Sequence, residues 1–407
     1  MKKNIFSLAI IFYALSIVVI SRPSDSTILK VVTLINNSNI DNIIKEISGQ
    51  KPVVIEGNEY IILSRSNFGS LSYLNPIAAK YVHQKFIEYG YNSYYSPFRL
   101  YPEMKYDLET VYAVKTGRVN PNNIILFSSS HDSESKSDTL APGANINASG
   151  LAIVLEAARL FTNIETENTI IFASFDDMMQ TGYGSYQLCD SLIKLKPNLL
   201  RGIYLEALGW SGGVGPVIGS NDTIKNNILL HEALYVSNLL NFETKITSIV
   251  KDKITPIYYF SNKANNYEQV YFHQDFSKPY PYMRTTYDIF DNLEPKYLHD
   301  NAGIAIGLLA LIAGVIDNSL NIIDYPEKSS SIVCPNHAQE YIEIKLSSAS
   351  LNPSEGYVRL FNVLGECVLS EKIHPITLSY RMNIEYLPLG IYYVRFGDWV
   401  GSFVKIK

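Results

Sequence analysis

Cysteine, tryptophan and clusters of basic residues are scarce in this chain of 407 residues. It has three cysteines and two tryptophans, and charged residues make up 18% of the sequence. Three scattered thiols cannot form a disulfide framework, and pairing any two would leave the third free. We therefore expect buried or half-buried apolar thiols at Cys189, Cys334 and Cys367. The net charge of −5 and the lack of a basic stripe exclude nucleic acid as the expected partner.

Apolar residues are plentiful, at 47%, which is enough to bury the cores of more than one domain. At the N-terminus, Lys2 and Lys3 precede an apolar stretch over residues 5–20. This pattern predicts a signal peptide over residues 1–21, cleaved after Ser21. Because the stretch is slightly long, an uncleaved membrane anchor is the alternative.

From residue 27 to residue 318 the apolar pattern switches between strand and helix periodicity. Residues 27–66 favour short strands and one helix, and Asn75-Pro76 favours a helix that Asn75 caps and that ends at Gly90. Further strands are predicted at 110–115, 124–130, 169–175, 202–208 and 257–260, and helices at 148–161, 186–195, 224–240 and 294–316. The alternation predicts a three-layer α/β sandwich with a mostly parallel sheet.

The last part of the chain has a different pattern. A polar linker over residues 319–330 leads into short alternating runs and turns over residues 331–407. Strands are predicted at 341–346, 357–362, 367–369, 391–396 and 403–406. This pattern predicts a small all-β sandwich. The apolar stretch at 302–316, before the linker, is too short to span a bilayer and predicts a buried core helix.

Two segments of the α/β region carry a recognisable frame. Residues 141–150 read A-P-G-A-N-I-N-A-S-G, and residues 172–185 read F-A-S-F-D-D-M-M-Q-T-G-Y-G-S. Both resemble the core of the zinc aminopeptidases of metallopeptidase family 28. In that family the first segment reads close to A-P-G-A-D-D-N-A-S-G, and the second ends E-E-x-G-L-x-G-S. The resemblance implies a zinc-exopeptidase fold whose five ligands would hold two zinc ions and activate a bridging water.

The frame matches, but the expected ligands are missing. When the family's five metal-ligand positions are transferred one by one to this sequence, they fall on Ser130, Ile146, Met179, Glu206 and Arg284. Met178 occupies the general-base position, and Asp132 the position that orients a ligand. A thioether has no proton to exchange near neutral pH, and arginine has no free lone pair. Only Glu206 retains a side chain suited to zinc, so the sequence predicts no metal.

Neighbouring residues are poor replacements for these ligands. His131 lies one residue beyond the first position, and a slip of one residue points a strand side chain to the other face unless a bulge intervenes. Asn145 is neutral, and Asp176 and Asp177 lie too early in the frame, so we expect them to form a solvated loop pair. An isolated buried carboxylate is costly. We therefore hypothesise that Glu206 and Arg284 pair across the former zinc cavity.

Other catalytic patterns are weak. There is no G-x-S-x-G nucleophile motif, and the glycines at 212–215 favour an ordinary turn. The other histidines (His83, His231, His273, His299, His337 and His374) show no ligand spacing. Of these, His273 is expected in a loop that lines the substrate pocket of the family.

The C-terminal region resembles the type A sorting domain of the type IX secretion system of Bacteroidetes. The opening V-C-P-N-H-A at 333–338, the L-F-N-V-L-G-E at 360–366 and the L-P-L-G-I-Y-Y-V at 387–394 follow its order of motifs. The chain ends in F-V-K-I-K, as such domains do. The resemblance implies passage across the outer membrane and removal of this domain on release or surface attachment.

Together these features predict a secreted or surface-exposed pseudopeptidase without a metal cofactor. Its expected partners are the type IX secretion machinery and, in a retained cleft, peptides or amino acids. One alternative is an active aminopeptidase with two zinc ions. Another is a surface interaction protein that uses the fold only as a scaffold.

Overall fold

The structure is a computed structural model of the chain. It describes residues 22–100, 107–137, 139–179, 181–220, 227–248, 267–316, 332–334, 337–345, 357–362, 366–372, 379–396 and 399–406. The predicted signal peptide, the linker at 319–330, the strand at 257–260 and His374 lie outside these residues. The chain forms two compact units, Met1–Asn321 and Ile322–Lys407.

The described part of the first unit alternates helices with strands. Its helices are α1 (Asp25–Thr33), α2 (Asn37–Ile47), α3 (Asn75–Glu88), α4 (Ser149–Phe161), α5 (Tyr183–Lys194), α6 (Ile228–Leu239) and α7 (Pro295–Ala313). Its strands are β1 (Val53–Ile55), β2 (Asn58–Tyr60), β3 (Ser93–Phe98), β4 (Leu108–Lys115), β5 (Asn120–Ser130), β6 (Asn168–Phe175), β7 (Leu199–Leu205), β8 (Val217–Ser220), β9 (Lys245–Ser248) and β10 (Tyr267–His273). Short helical turns lie at Ser72–Leu74, Ala144–Ala148 and Phe290–Asn292.

One mixed sheet organises this unit. Strands β1 and β2 form a separate hairpin, and the other eight lie in the order β3-β4-β6-β5-β7-β10-β8-β9. The central strands β6, β5, β7 and β10 run parallel, whereas β3, β4 and β8 join by antiparallel pairing. The predicted α/β fold with a mostly parallel sheet is confirmed.

Helices cover both faces of the sheet. Successive side chains of a strand point to opposite faces, so each buried strand contributes apolar residues to a core on either side. Ile170 and Phe172 of β6 lie in the larger core with α4 and α7. Ile171, Ala173 and Phe175 lie in the smaller core with α5. Strand β6 is therefore buried on both faces, as its continuous apolar run predicts.

Two local predictions were wrong. Residues 27–66 contain the expected short strands, β1 and β2, but two helices rather than one. Ile28 and Val31 are β-branched, but α1 buries both in the larger core, and this packing outweighs their strand preference. Asn75 does not cap α3: it is the first helical residue, and its amide donates instead to the Arg65 carbonyl and the Asp176 carboxylate, each at 3.0 Å.

The second unit is an all-β sandwich, as predicted. Strands β11 (Ile332–Cys334), β13 (Tyr341–Lys345) and β16 (Ser379–Asn383) form one sheet, while β12 (His337–Ala338), β18 (Trp399–Lys405), β17 (Gly390–Phe396), β14 (Tyr357–Asn362) and β15 (Cys367–Lys372) form the other. Ile342 and Met382 of the first sheet share a core with Leu360, Val394 and Phe403 of the second. The two sheets therefore pack face to face.

The cysteine prediction holds for one thiol and fails for another. Cys189 is buried on α5, and burial raises the pKa of its thiol well above the ordinary value. Cys367 is exposed, because it lies at the start of the outermost strand of the second sheet.

None of the helices in the described ranges is long and apolar enough to cross a membrane. Helix α7 is instead a buried core helix, as its composition predicts.

Candidate functional site

The carboxyl ends of three parallel strands meet at one edge of the sheet. Strand β5 ends at Ser130, β6 at Phe175 and β7 at Leu205, and Glu206 follows directly. Side chains that follow parallel strands converge at such an edge, where ligands bind in open α/β sheets. The fold therefore brings the positions of Ser130 and Glu206 to the same edge.

Two stacked tyrosines satisfy Ser130 and Glu206. The Ser130 hydroxyl lies 3.3 Å from the Tyr204 hydroxyl, and the Tyr271 hydroxyl donates a hydrogen bond to the Glu206 carboxylate. The rings of Tyr204 and Tyr271 stack with their centroids 5.5 Å apart. Burial, together with the nearby charge of Glu206, raises the pKa of Tyr204 well above its usual value, so this tyrosine is neutral. The hydroxyls of Tyr204 and Tyr271 thus hydrogen-bond to the polar side chains at two of the five ligand positions.

Asp132 holds the backbone of the loop that follows β6. It is buried, and its carboxylate accepts a hydrogen bond of 2.8 Å from the Met179 N–H. The amide of Asn147 donates to the Asp132 carbonyl at 3.2 Å. Burial and the neighbouring carboxylate of Asp176 raise the pKa of Asp132 well above its ordinary value. Asp132 therefore fastens two loops of the site to each other.

The loop before α4 is held by Asp288. Its carboxylate accepts hydrogen bonds from the N–H groups of Asn145, at 2.7 Å, and Ile146, at 3.3 Å. The Asn145 side chain is itself committed, because its oxygen accepts from the Gly209 N–H and its amide donates to Gln274. Ile146 is buried, and the peptide bond that follows it is cis. No carboxylate lies at either residue where a bridging ligand is expected.

Glycine is required where α4 meets the end of β7. A Cβ atom on Gly150 would lie 2.3 Å from the Leu205 carbonyl oxygen. At the same junction the Ser149 hydroxyl accepts a hydrogen bond of 2.9 Å from the Leu208 N–H. The S-G pair of the motif therefore serves helix packing, which explains why this part of the frame persists without the ligands.

Asp288 should make stability depend on pH. Burial raises its pKa to about 7 despite the two N–H donors. Between its ordinary pKa and about 7, the folded state holds a proton that the unfolded state releases, so stability falls as pH rises through this window. We expect the free energy of unfolding, measured with urea at about pH 5 and pH 8, to fall by about 2–4 kcal/mol from this group. In Asp288→Asn the fall should be smaller by that amount; an equal slope in both proteins would contradict the assignment.

His131 lies on the side of the sheet away from Ser130. Its Nδ1 atom is 2.8 Å from the Ser174 hydroxyl, and its Nε2 atom is 3.6 Å from the Asp176 carboxylate. The order Ser174, His131, Asp176 resembles that of a nucleophilic triad, but all three side chains are completely buried. A nucleophile without access to substrate cannot react, so this group is a buried polar network.

Asp176 and Asp177 do not form the solvated pair that the sequence predicts. Both are completely buried. The Asp176 carboxylate accepts from the N–H groups of Asp177, at 2.8 Å, and Glu109, at 3.2 Å. Burial alone would raise the pKa of Asp176, but the facing His131, the Asn75 amide and the Glu109 N–H together lower it. The carboxylates are buried because the fold supplies them with donors that no local sequence pattern predicts.

The hypothesis of a Glu206–Arg284 pair is wrong. The Arg284 guanidinium forms an ion pair of 3.0 Å with Glu134, while Glu206 accepts from Tyr271. Arg284 has a left-handed backbone with φ of 56°, and its side chain is half exposed. Its carbonyl also accepts from the Lys136 N–H. Arg284 therefore fastens its loop to the one that follows β5 and does not face Glu206.

The two methionines differ in their surroundings. Met178 is buried in the smaller core with Phe175, Leu188 and Tyr204. Met179 is half buried, and its N–H is held by Asp132. At the general-base position, Met178 thus fills an apolar core, a common role for a flexible thioether.

Arg65 is a structural centre that the sequence analysis missed. It is completely buried and donates hydrogen bonds to four backbone carbonyls, those of Ile47, His131, Pro142 and Gly143. Burial lowers the pKa of Arg65 to about 10, so the guanidinium keeps its charge. This residue joins the end of α2 to the segment that follows β5 and to the motif loop at 141–150. An isolated arginine outside any periodic pattern offers no signal for such a role.

The donor set does not fit a pair of zinc ions. The five positions supply one carboxylate, a hydroxyl, an alkyl group, a thioether and a guanidinium, whereas zinc binds thiolate, imidazole and carboxylate. Across the described ranges, His, Cys, Asp and Glu do not form any group of three or more that could hold a metal ion. We therefore derive no reaction step through zinc.

His273 is not in a loop. It is the last residue of β10, is buried, and lies stacked between Tyr271 and Phe276. Its Nδ1 atom lies 2.6 Å from the Gln274 carbonyl, and its Nε2 atom 2.9 Å from the Thr247 hydroxyl. Both ring nitrogens are thus occupied, which makes His273 a packing residue in this structure.

Comparison with protein families divides the chain in the same way as its sequence patterns. Residues 111–308 match the family model of Peptidase family M28. Residues 332–405 match that of the Secretion system C-terminal sorting domain. Both resemblances found in the sequence are thereby confirmed.

Individual relatives are distant. A 111-residue segment is 32% identical to a "Probable zinc metalloprotease" of Pyrenophora teres f. teres (strain 0-1), covering 26% of this chain and 23% of that protein. Among solved structures, LapB from Legionella pneumophila aligns with a TM-score of 0.59 at 16% identity, over 72% of this chain and 76% of LapB. An aminopeptidase from Aneurinibacillus sp. strain AM-1 aligns with a TM-score of 0.55 at 16% identity, over 70% and 95% of the two chains. At these identities the structural likeness concerns the fold.

Proposed function

We propose that this chain, which matches Peptidase family M28 over residues 111–308 and a secretion sorting domain over residues 332–405, is an exported pseudopeptidase. It keeps the fold of the zinc aminopeptidases but binds no catalytic zinc and hydrolyses no peptide bonds. Its retained edge of the sheet would bind peptides or amino acids without cleaving them.

The observation that carries this proposal is the set of side chains at the five ligand positions. Ile146 and Met179 provide no hard donor, and Arg284 would bring a positive charge where a dication is needed. Ser130 and Glu206 are hydrogen-bonded to tyrosines. A two-metal centre needs several anionic or imidazole ligands converging on one point, and one carboxylate does not suffice.

The lack of a base supports the same proposal. Met178 cannot accept a proton, and the acid–base groups nearest to it in sequence, Asp176 and Asp177, are completely buried in hydrogen bonds. General-base catalysis needs a group within reach of the attacking water. The tests are the zinc content of the purified protein and its hydrolysis of aminoacyl amides.

An active zinc aminopeptidase is the second candidate, and the similarity to probable zinc metalloproteases favours it. It requires about two zinc ions per chain and turnover that a chelator abolishes. A scaffold without ligand is the third candidate. Thermal-shift measurements with a set of short peptides separate it from a peptide-binding pseudopeptidase: a saturable rise in Tm supports the cleft, and unchanged Tm values support the scaffold.

Export should depend on the C-terminal unit. In a host with a type IX secretion system, we expect deletion of residues 332–407 to leave the protein in the periplasm, because the segment that the machinery recognises is lost. Fractionation and immunoblotting measure the distribution. The matched control is Glu59→Gln in the full chain, an exposed change in the first unit that should leave export unchanged. Equal surface exposure of the truncated and full-length chains would contradict a sorting role.

A further inference from the structure

The five-stranded sheet of the second unit has an outward face, which lies on the side away from the core of the sandwich. On its neighbouring strands β14 and β17, Val358, Leu360 and Val394 point into that core. The alternate residues therefore point outward. They comprise three aromatic residues, two arginines and one isoleucine: Tyr357, Arg359, Phe361, Ile391, Tyr393 and Arg395. These six residues are called the β14–β17 face below.

Apolar side chains on this face are open to solvent and adjoin one another. Tyr357, Ile391 and Tyr393 are between 40% and 48% exposed. Tyr393 lies directly opposite Phe361 on β14, and Ile391 lies directly opposite Val404 on β18. Contiguous exposed apolar patches typically mark an interaction site, whereas single exposed apolar residues do not.

The charge on this face is positive. Arg359 and Arg395 lie directly opposite each other on β14 and β17, and the Arg359 guanidinium is 5.7 Å from the centre of the Tyr357 ring. On the adjacent strand β15, Ser370 lies opposite Arg359 and Lys372 opposite Tyr357. Like charges that lie directly opposite destabilise an antiparallel pair. An acidic surface placed against this face would offset their repulsion.

The outward face of the other sheet is arranged differently. Glu343 of β13 lies directly opposite Arg381 of β16. The Arg381 guanidinium also lies over the Tyr341 ring, 3.3 Å from its centre. One side of the sandwich thus pairs opposite charges across its strands, whereas the β14–β17 face brings like charges together.

The sequence motif of β17 has a separate role. Tyr392, within the L-P-L-G-I-Y-Y-V segment, is buried in the core and stacks on Phe403 with ring centroids 5.6 Å apart. Its hydroxyl donates a hydrogen bond of 2.8 Å to the Pro388 carbonyl. This tyrosine maintains the fold, so the motif does not account for the exposed residues on either side of it.

We propose that the β14–β17 face docks onto an acidic protein surface of the secretion machinery, an inference that rests on the proposed export role of this unit. The planar fork of an arginine binds carboxylates in a bidentate manner. Tyrosine and arginine also dominate the binding energy of protein interfaces. A lipid-binding patch instead needs a cluster of about four to eight lysines or arginines, so the mixture of aromatic residues and two arginines favours a protein partner.

Export of full-length variants in a host with a type IX secretion system tests the docking face. We expect Arg359→Glu/Arg395→Glu to lower the surface-exposed fraction by at least about tenfold, because it reverses the charge that meets the partner. Arg395→Gln should lower it by about threefold. The matched control is Arg381→Gln, the same loss of charge on the other sheet, which should leave export unchanged. Fractionation and immunoblotting measure each protein.

Crosslinking identifies what covers the face. A photoreactive phenylalanine analogue in place of Tyr393 should crosslink in the host to a protein component of the secretion machinery, identified by mass spectrometry. The same analogue in place of Tyr341, on the other sheet, should not. The purified full-length protein should bind vesicles of phosphatidylcholine equally weakly with and without phosphatidylglycerol.

The outcomes separate the docking face from the sorting role. Normal export of Arg359→Glu/Arg395→Glu, when deletion of residues 332–407 blocks export, would overturn the face and leave the sorting role intact. Normal export of the truncated chain as well would overturn both. Crosslinks from position 393 to lipid, or vesicle binding that the double variant loses, would assign the face to a membrane and overturn the protein partner. Circular dichroism verifies the fold of each variant, and Arg395→Gln decides the test if the double variant does not fold.

Discussion

Purified full-length protein will contain fewer than about 0.1 zinc ions per chain, against about two for a dinuclear peptidase. Its hydrolysis of aminoacyl amides will be at least roughly 10⁴-fold slower than that of a zinc aminopeptidase, because the proposed pseudopeptidase has neither a metal-activated water nor a general base. Metal analysis by mass spectrometry and a chromogenic aminoacyl-anilide assay, each with and without added zinc, measure the two quantities.

Glu206→Gln is the matched control for this prediction. The amide side chain would keep an acceptor for the Tyr271 hydroxyl but could not serve as an anionic zinc ligand. If the protein binds no zinc there, its metal content and its residual turnover are the same with either residue. Zinc near two equivalents that falls on this substitution, together with chelator-sensitive turnover, would establish the active alternative.

Replacing Arg65 by methionine will destabilise the first unit by about 3–5 kcal/mol. The substitution removes donors from four buried carbonyls, and the apolar chain that replaces the guanidinium cannot hydrogen-bond to them. In urea unfolding followed by circular dichroism, we expect the transition midpoint to fall by about 1 M or more.

Arg118→Met provides the comparison for Arg65. The Arg118 guanidinium is 65% exposed and pairs with Glu165, which is 51% exposed. Such a pair contributes little, so this variant should lose no more than about 0.5 kcal/mol. Lysine at position 65 should recover only part of the stability, because it lacks the planar fork of donors. Equal midpoints for the two methionine variants would show that Arg65 is not the centre that we describe.

The sequence of this protein determines the scaffold more directly than the side-chain contacts. The run at 169–175 was sufficient to predict a strand buried on both faces, and the apolar stretch at 302–316 a core helix, because burial requires apolar residues at those positions. Residues 27–66 were harder, because Ile28 and Val31 favour strands locally and become helical through packing with the larger core. Helix α1 was thus visible only in the folded chain.

The candidate site shows the same division. The sequence on either side of Ile146 and Met178 matches the family, and this was sufficient to assign Ile146 to a ligand position and Met178 to the general-base position. They did not indicate that Tyr204 and Tyr271 would take the polar atoms of Ser130 and Glu206, or that Arg284 would pair with Glu134. These partners lie on different strands and loops, and side-chain pairs across elements leave no local pattern.

Periodicity and motif order along the chain were sufficient to predict the α/β class, the β-sandwich that follows it and the chemical identity of the residues at the ligand positions. The folded arrangement was needed to establish that Asp176 and Asp177 are buried and that Arg65 joins α2 to the segment after β5 and to the motif loop at 141–150. Sequence and folded structure differ in this respect because burial and hydrogen bonding depend on residues that are close in space and not necessarily in sequence. A carboxylate becomes stable inside the protein only when distant parts of the chain bring donors to it.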